Sequence, residues 1–323
     1  MSGAFAMTPA RLRAAELLFW LALACTFFLL PDRLTLMSQV LIFGLFAVSL
    51  DMALGYAGIL TVGHAAFFGA GAYTAGLLAA HDWGEPLGGL AAALAVGLLL
   101  GWLLSWLVVR GSDLARLMIT IGVCVLLYEL ANRLSWLTGG TDGLQGMQVR
   151  PLLGRFEFDF LGRTAFVYAY VVVLAVFLLV RRLLRSPFGM ALRGIHDNRR
   201  RMLALGTPVD ARLRMAYAFS AGVAAIAGAL LAQTTQFVGI ESIGFSRSAE
   251  VLIILVLGGA GRLYGGLLGA VVYMLVHDQF ADMNPQYWMF WLGLFLIAAV
   301  LLGRGGLMGL LARLARRPRE ARE

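Results

Sequence analysis

The fold class predicted here is an all-α polytopic membrane protein, with about eight to ten transmembrane helices and glycine-rich broken or re-entrant segments. Three observations carry it. Of 323 residues, 60% are hydrophobic and only 14% charged, with mean hydropathy +0.83. A water-facing domain is about half apolar and about a quarter charged, so this chain lacks the charges to clothe a wet surface. Its apolar residues gather in runs of about 20, the length that crosses a bilayer. Of its 39 glycines, twelve gather in two of those regions. No stretch is polar for long enough to form a second domain, so residues 1–323 read as a single transmembrane domain.

The spans follow in order. The first, 14–30, comes after Arg11 and Arg13 and resembles a signal peptide. No Ala-x-Ala site follows it, only Pro31, Asp32 and Arg33, so it reads as a retained span. Spans at 35–54 and 58–80 come next, the latter punctuated by Gly58, Gly63, Gly69, Gly71 and Gly76. Further runs cover 87–109 and 116–137. A polar stretch, 138–163, leads to the span 164–180. The longest charged segment, 181–214, precedes the span 215–236. The last apolar runs are 248–261, 264–281 and 286–303, and a basic tail, 304–323, closes the chain. Gly258, Gly259, Gly261, Gly265, Gly266 and Gly269 form the second glycine cluster. Such clusters permit close helix approach and breaks, tolerated where backbone is buried in protein or lines a water-filled path. The two clusters are loosely alike, a hint of the internal repeats common in transporters.

Charge supplies an orientation. The 26 basic residues are all arginine, against 18 acidic ones, for a net charge of +8. Placing 181–214 in the cytoplasm puts 20 arginines inside and six outside, namely Arg33, Arg133, Arg150, Arg155, Arg163 and Arg247, as the positive-inside rule requires. Both termini are then cytoplasmic. Ten crossings satisfy this if 248–261 crosses, and eight if 248–261 and 264–281 form one re-entrant element. The basic balance is that of a membrane protein facing lipid, and no nucleic-acid partner is expected.

The same counts exclude chemistry. Without lysine there is no Walker A loop and no Schiff-base site. Cys25 and Cys124 lie in apolar runs, and the four histidines lack ligand spacing. No catalytic residue, metal site or bound cofactor is expected. Ionisable residues inside spans are costly and draw functional suspicion. Asp51 sits beside the Gly55/Gly58 turn and reads best as its partner. His64 is evenly balanced between path and packing. Glu129 has Arg133 one turn on. Glu250 opens the 248–261 run on the outer side.

Four stretches carry a resemblance. Leu54–Tyr73 reads LGYAGILTVGHAAFFGAGAY, and Thr138–Gly143 reads TGGTDG. Ser186–Ile195 reads SPFGMALRGI and is followed by Leu205 and Gly206; Glu250–Gly269 contains VLGGAG. In this order, from about residue 40 to 300, they resemble M-type permease subunits of bacterial branched-chain amino-acid ABC importers. The resemblance implies a multi-pass inner-membrane subunit that pairs with a related H-type permease. Two cytoplasmic ABC ATPases would hydrolyse ATP, and a periplasmic substrate-binding protein would deliver the solute. It implies a translocation path or broken-helix region at Thr61, His64, Phe67 and Tyr73. It implies an ATPase-coupling loop at Gly189, Arg193, Asp197, Arg200, Leu205 and Gly206, and a periplasmic mouth at Thr141 and Asp142.

The composition of 181–214 agrees. A helix over Met190–Leu205, stopped by Gly189 and Gly206, would carry Leu192, Ile195, Leu203 and Ala204 as an apolar stripe among arginines. Such a helix can dock in a partner's groove or lie on anionic lipid. Where relatives carry acidic and small residues, this chain has Arg199, Arg200 and Arg201, which points to an acidic groove opposite. A permease fed by a binding protein needs no tight site, and none is visible. Branched-chain amino acids, urea, short amides and aromatic acids all remain open as solutes. The alternative class is a secondary transporter moving a proton on Asp51, His64 or Glu129. A membrane enzyme would need a nucleophile and base that the chain lacks.

Overall fold

The computed structural model describes residues 9–302 and 306–309, except 82, 153, 155, 160 and 161, and except the side chains of 9–15, 300 and 302. The Arg11 and Arg13 side chains and most of the basic tail lie outside the described residues. Among the described residues there are helices, two isolated backbone bridges and no strands. The chain is a multi-pass membrane protein. Five of its segments are long and apolar enough to cross a bilayer unaided: Pro31–Tyr56, Pro86–Val108, Asp113–Arg133, Arg163–Arg185 and Val209–Thr235.

Helix α1 (Pro9–Leu29) lies at the periphery and leads through a tight turn to α2 (Leu34–Asp51), which continues as a wider turn, Met52–Tyr56. Gly58, at φ +67°, then stops the helix, and Ile59 N–H reaches back to the Ala53 carbonyl at 2.8 Å. This long back-bond over a left-handed glycine is a helix-ending motif. The predicted span 58–80 therefore divides. Residues 57–64 are irregular, and only Ala65–Ala80 (α3) are helical. Helix α4 (Pro86–Val108) opens on Pro86, whose missing N–H is no loss at a first-turn position. Helix α5 (Asp113–Arg133) opens on the Ser112 side chain and the charge of Asp113, both suited to a helix start. A one-turn helix α6 (Ser135–Thr138) begins the long connection to α7 (Arg163–Arg185). Two short helices, α8 (Pro187–Asp197) and α9 (Arg199–Ala204), join α7 to α10 (Val209–Thr235). Then come α11 (Phe245–Gly258), α12 (Leu263–Met283) and α13 (Trp288–Leu302).

Helices α2 and α10 form the centre, almost wholly buried. Helix α10 lies between α3 and α4, and α2 lies against α7 and α12. Glycine and alanine permit this closeness. A methyl group at Gly71 would strike the Ala225 carbonyl, and one at Gly228 the Phe68 carbonyl. On the α4 side, Gly97 and Gly101 face Ala225 and Ala221. Such small-residue contacts replace the hydrophobic drive that lipid does not supply.

Arg116, only 7% exposed, closes the end of α4. It donates to the Val108 and Val109 carbonyls at 3.1 and 3.3 Å and to Asp113 at 2.9 Å. Arg116→Leu leaves these acceptors unpaired and is expected to cost about 1–3 kcal/mol. The loss is read as a lowered melting temperature in detergent, and an unchanged melt would overturn this account of the α4 terminus.

The chain breaks a second time after α10. Gln236, at φ +52°, ends that helix, and residues 236–244 run back along α3 before α11 begins. Ile243 lies against Gly69, and its carbonyl accepts from Cys124 Sγ at 2.8 Å. The two interrupted segments meet start to start, the Ala65 N–H donating to Ser248 Oγ at 2.9 Å. Helices α3 and α11 then depart toward opposite faces. The glycine clusters do touch, because Gly55 abuts Gly261. Helix α12 turns back from α11 by 110° and runs from the level of Val48 to that of Arg33, which pairs with Asp278 at 2.8 Å. Helices α11 and α12 together are long and apolar enough for one further broken span.

Candidate functional site

Three regions bear on function: the buried break, the arginine-rich face and a groove at mid-depth. At the break, Asp51 Oδ1 accepts from Gly261 N–H at 2.6 Å and so ties the first glycine turn to the second. The partner expected for Asp51 was the adjoining Gly55/Gly58 turn, and its bond goes to the second turn instead. His64 is fully buried. Its Nε2 lies 3.1 Å from Ser49 Oγ and 3.3 Å from Ser220 Oγ. Both serine hydroxyls already donate to carbonyls, of Phe46 and Ser49 respectively, each at 2.6 Å. Nε2 must therefore carry the proton and donate to both. The ring stacks on Phe46 and meets Phe67 edge-on, with centroids 5.9 and 5.6 Å apart. Thr61, Phe67 and Tyr73 are likewise buried. The four predicted path residues therefore lie buried at or beyond the broken helix, Tyr73 in a cluster with Leu144, Met147 and Ile240.

On the arginine-rich face, α8 is held by Leu192 and Ile195, both buried. The Arg193 guanidinium lies over the Tyr56 ring at 4.9 Å. The His196 ring occupies the space beside Gly58. Pro187 starts the helix, so Gly189 falls inside it, pressed against the Leu184 backbone where no side chain fits. The single helix expected over 190–205 is divided. Asn198 Oδ1 accepts the Arg201 N–H at 3.0 Å and starts α9, a new N-terminus that competes with continuation. The expected apolar stripe ends with it. Leu203, Ala204 and Leu205 are exposed, while Met202 packs against Gly194 instead. Arg199 pairs with Asp210 at 2.6 Å. Asp197, Arg200, Arg201 and Gly206 are exposed, and Gly206 takes φ +79° in open space. On the opposite face, Thr141 and Asp142 are exposed on a tight turn between Gly140 and Gly143. Thr138 Oγ1 anchors that turn by donating to the Ala131 carbonyl at 2.6 Å.

The third region was not foreseen. A groove of about 800 Å³ opens on the side of the bundle, lined by α5, the start of α11, α12 and the start of α13. Arg247 and Glu250 line it, paired at 2.5 Å, and the Arg247 guanidinium lies 5.1 Å over the Phe43 ring. Tyr128, Glu241, Phe245, Cys124 and Tyr273 also contribute. Phe43, Cys124 and Tyr273 are the middle residues of Pro31–Tyr56, α5 and α12. The ion pair therefore sits at the centre of the membrane-spanning bundle. Arg247, expected outside, and Glu250, expected at the outer end, are both at mid-depth. Sequence reasoning placed them by the polar look of 236–247, whereas the buried course of that segment along α3 decides their depth.

Of the suspected ionisable groups, Asp51, His64, Glu129 and Glu250 each have a local partner, with Glu129 paired to Arg133 at 3.0 Å. No chain of carboxylates links the faces among the described residues, as a proton relay would need. A bundle broken twice at mid-depth, with a polar groove and a platform of short helices on one face, is a membrane permease. The chain belongs to the family described as branched-chain amino acid transport system permease components, which matches residues 33–300. It is 31% identical over 317 residues to the high-affinity branched-chain amino acid transport system permease protein LivM of Salmonella typhimurium strain LT2, covering 89% of this chain and 72% of that protein. Identity to LivM of Escherichia coli K12 is 30% over 316 residues, with the same shares. A probable branched-chain amino acid transport permease LivM of Methanocaldococcus jannaschii is 29% identical over 140 residues, 42% of this chain and 39% of that protein. No solved structure matches the chain.

Proposed function

We propose that this permease component serves a binding-protein-dependent ABC importer of branched-chain amino acids in the inner membrane. Its arginine-rich face and both termini are cytoplasmic. It performs no chemistry and holds no cofactor; two ATPase subunits dock on α8 and α9 and hydrolyse ATP. A related H-type permease covers the side groove, since a charged ion pair at mid-depth is too costly to leave against lipid. The binding protein meets the face that carries Thr141 and Asp142. The observation that carries this reading is the platform. Helix α8 is clamped to Tyr56 and Gly58, the turn that leads into α3, while Arg200 and Arg201 remain free on the surface. A partner engaging the platform therefore acts on the broken helix and shifts the balance between two packings of the bundle.

The test is uptake of L-leucine by proteoliposomes holding this chain, the H-type permease, the ATPases and the binding protein. Uptake is expected to require ATP and every component, and to continue with an uncoupler present. Uptake by this chain alone, or its abolition by an uncoupler at constant ATP, would overturn the reading in favour of secondary transport.

A further inference from the structure

We propose that the Arg247–Glu250 pair is a transit site for the charged end of a zwitterionic amino acid, with the guanidinium taking the α-carboxylate and Glu250 the α-ammonium group. The inference rests on the importer reading and adds the site and the charge rule of its substrate. Its basis is geometric. A pair at the midplane has no packing advantage, since apolar residues of similar volume stabilise a buried position at least as well as an ion pair. Although the two groups bond each other, the pair is not sealed in the protein: the two side chains keep 25% and 18% of their surface open, on the wall of the groove. Arg247 Nε is buried without a partner.

The groove, about 800 Å³, falls in the roughly 300–1,000 Å³ range of small-molecule sites. Its lining also includes Phe245, Val125 and Met289, apolar surface for an aliphatic side chain. A zwitterion can insert between Arg247 and Glu250 and replace one ion pair by two, with no change in net charge at mid-depth. A singly charged analogue leaves one protein charge unpaired, and a neutral amide or urea leaves both without a charged partner. The same site thus admits neutral amino acids weakly and rejects their half-charged relatives, while no tight binding arrests passage.

The experiment uses the two permeases and their ATPases, purified together, with L-leucine, isoamylamine (which lacks the carboxylate) and isocaproate (which lacks the amine) as probes. Saturation-transfer NMR at millimolar ligand reads binding. Leucine is expected to bind, and each half-charged analogue to bind about ten- to a hundred-fold more weakly, the span of one charged hydrogen-bonded contact. The double variant Arg247→Gln with Glu250→Gln is expected to remove this preference and to lower leucine uptake at least about tenfold, while binding-protein-stimulated ATP hydrolysis persists. Equal binding of all three probes by the unaltered complex, or full leucine uptake by the double variant, would overturn the site. If the variant does not assemble, the probe comparison on the unaltered complex decides by itself. ATP-driven leucine uptake without a preference for the zwitterion defeats this site alone, whereas absence of ATP-driven uptake defeats the importer reading beneath it.

Discussion

Gly228→Val is expected to abolish the folded permease. The contact between α10 and α3 is one of backbone on backbone, and the missing side chain at Gly228 leaves room for the Phe68 carbonyl and the Ala72 N–H. A branched side chain there cannot be absorbed by rotation of a flexible neighbour. The helices must separate, and α4, which packs against both α3 and α10 and meets α10 through Gly97 and Gly101, leaves little room for this. Overpacking in a filled core costs about 1–3 kcal/mol where neighbours can give way, and more where backbone must move. An expected loss of about 3 kcal/mol or more would remove a large share of a typical domain's stability. The check is the yield of monodisperse protein extracted in mild detergent, with Gly122→Val as control. Gly122 meets nothing within 4 Å, so its substitution should leave yield and melting temperature nearly unchanged. Equal yields of the two variants would show that α3 and α10 do not pack as described.

Reversing Arg200 and Arg201 together to glutamate is expected to leave a folded chain that no longer transports. Both side chains are exposed. Neither takes part in an ion pair among the described residues, whereas the neighbouring Arg199 is committed to Asp210. Substitution at such positions ordinarily changes stability by no more than about 0.5 kcal/mol. Against an acidic groove on the ATPase, however, two like charges are brought face to face, at a cost of several kcal/mol. Uptake should fall at least about tenfold and the ATPase should no longer co-purify, while the melting temperature holds. Opposite reversals on the ATPase groove should restore both. Normal co-purification and uptake by the doubly reversed chain would place the docking surface elsewhere.

Much of the architecture was legible because its causes are local. The apolar runs 87–109 and 116–137 lie within a few residues of α4 and α5, whose starts are set by Pro86 and by Ser112 before Asp113. Gly58 marks where α2 must stop, since only glycine readily holds the left-handed backbone found there. The partner of Glu129 was also readable, from helical spacing, whereas Asp51, expected to serve the adjoining Gly55/Gly58 turn, accepts instead from Gly261 of the second glycine cluster. What escaped depends on contacts distant in sequence. The depth of Arg247 follows from the docking of α11 against the start of α3, through Ala65 and Ser248, and nothing near residue 247 encodes it. The division of α8 from α9, by contrast, is local and turns on a contest at Asn198. Composition favours one helix there, but its side chain begins another. Two of the stretches that carry the family resemblance fall on the short helices α8 and α9 and on the interruption before α3. The resemblance did not find the groove, because its polar residues come from α5, α11 and the segment before it, each ordinary when read alone.

The clasp between α8 and the turn at Tyr56–Gly58 gives the inner platform a mechanical reach beyond its own surface. Only the short irregular stretch to His64 separates that clasp from Ala65, where two half-length rods abut through a single hydrogen bond. A stroke delivered by nucleotide-driven closure of the proposed ATPases would travel along this linkage to the joint between α3 and α11. On that reading the pivot for alternating exposure lies at the start of α11, which also lines the groove, while the force is applied at the far end of the lever.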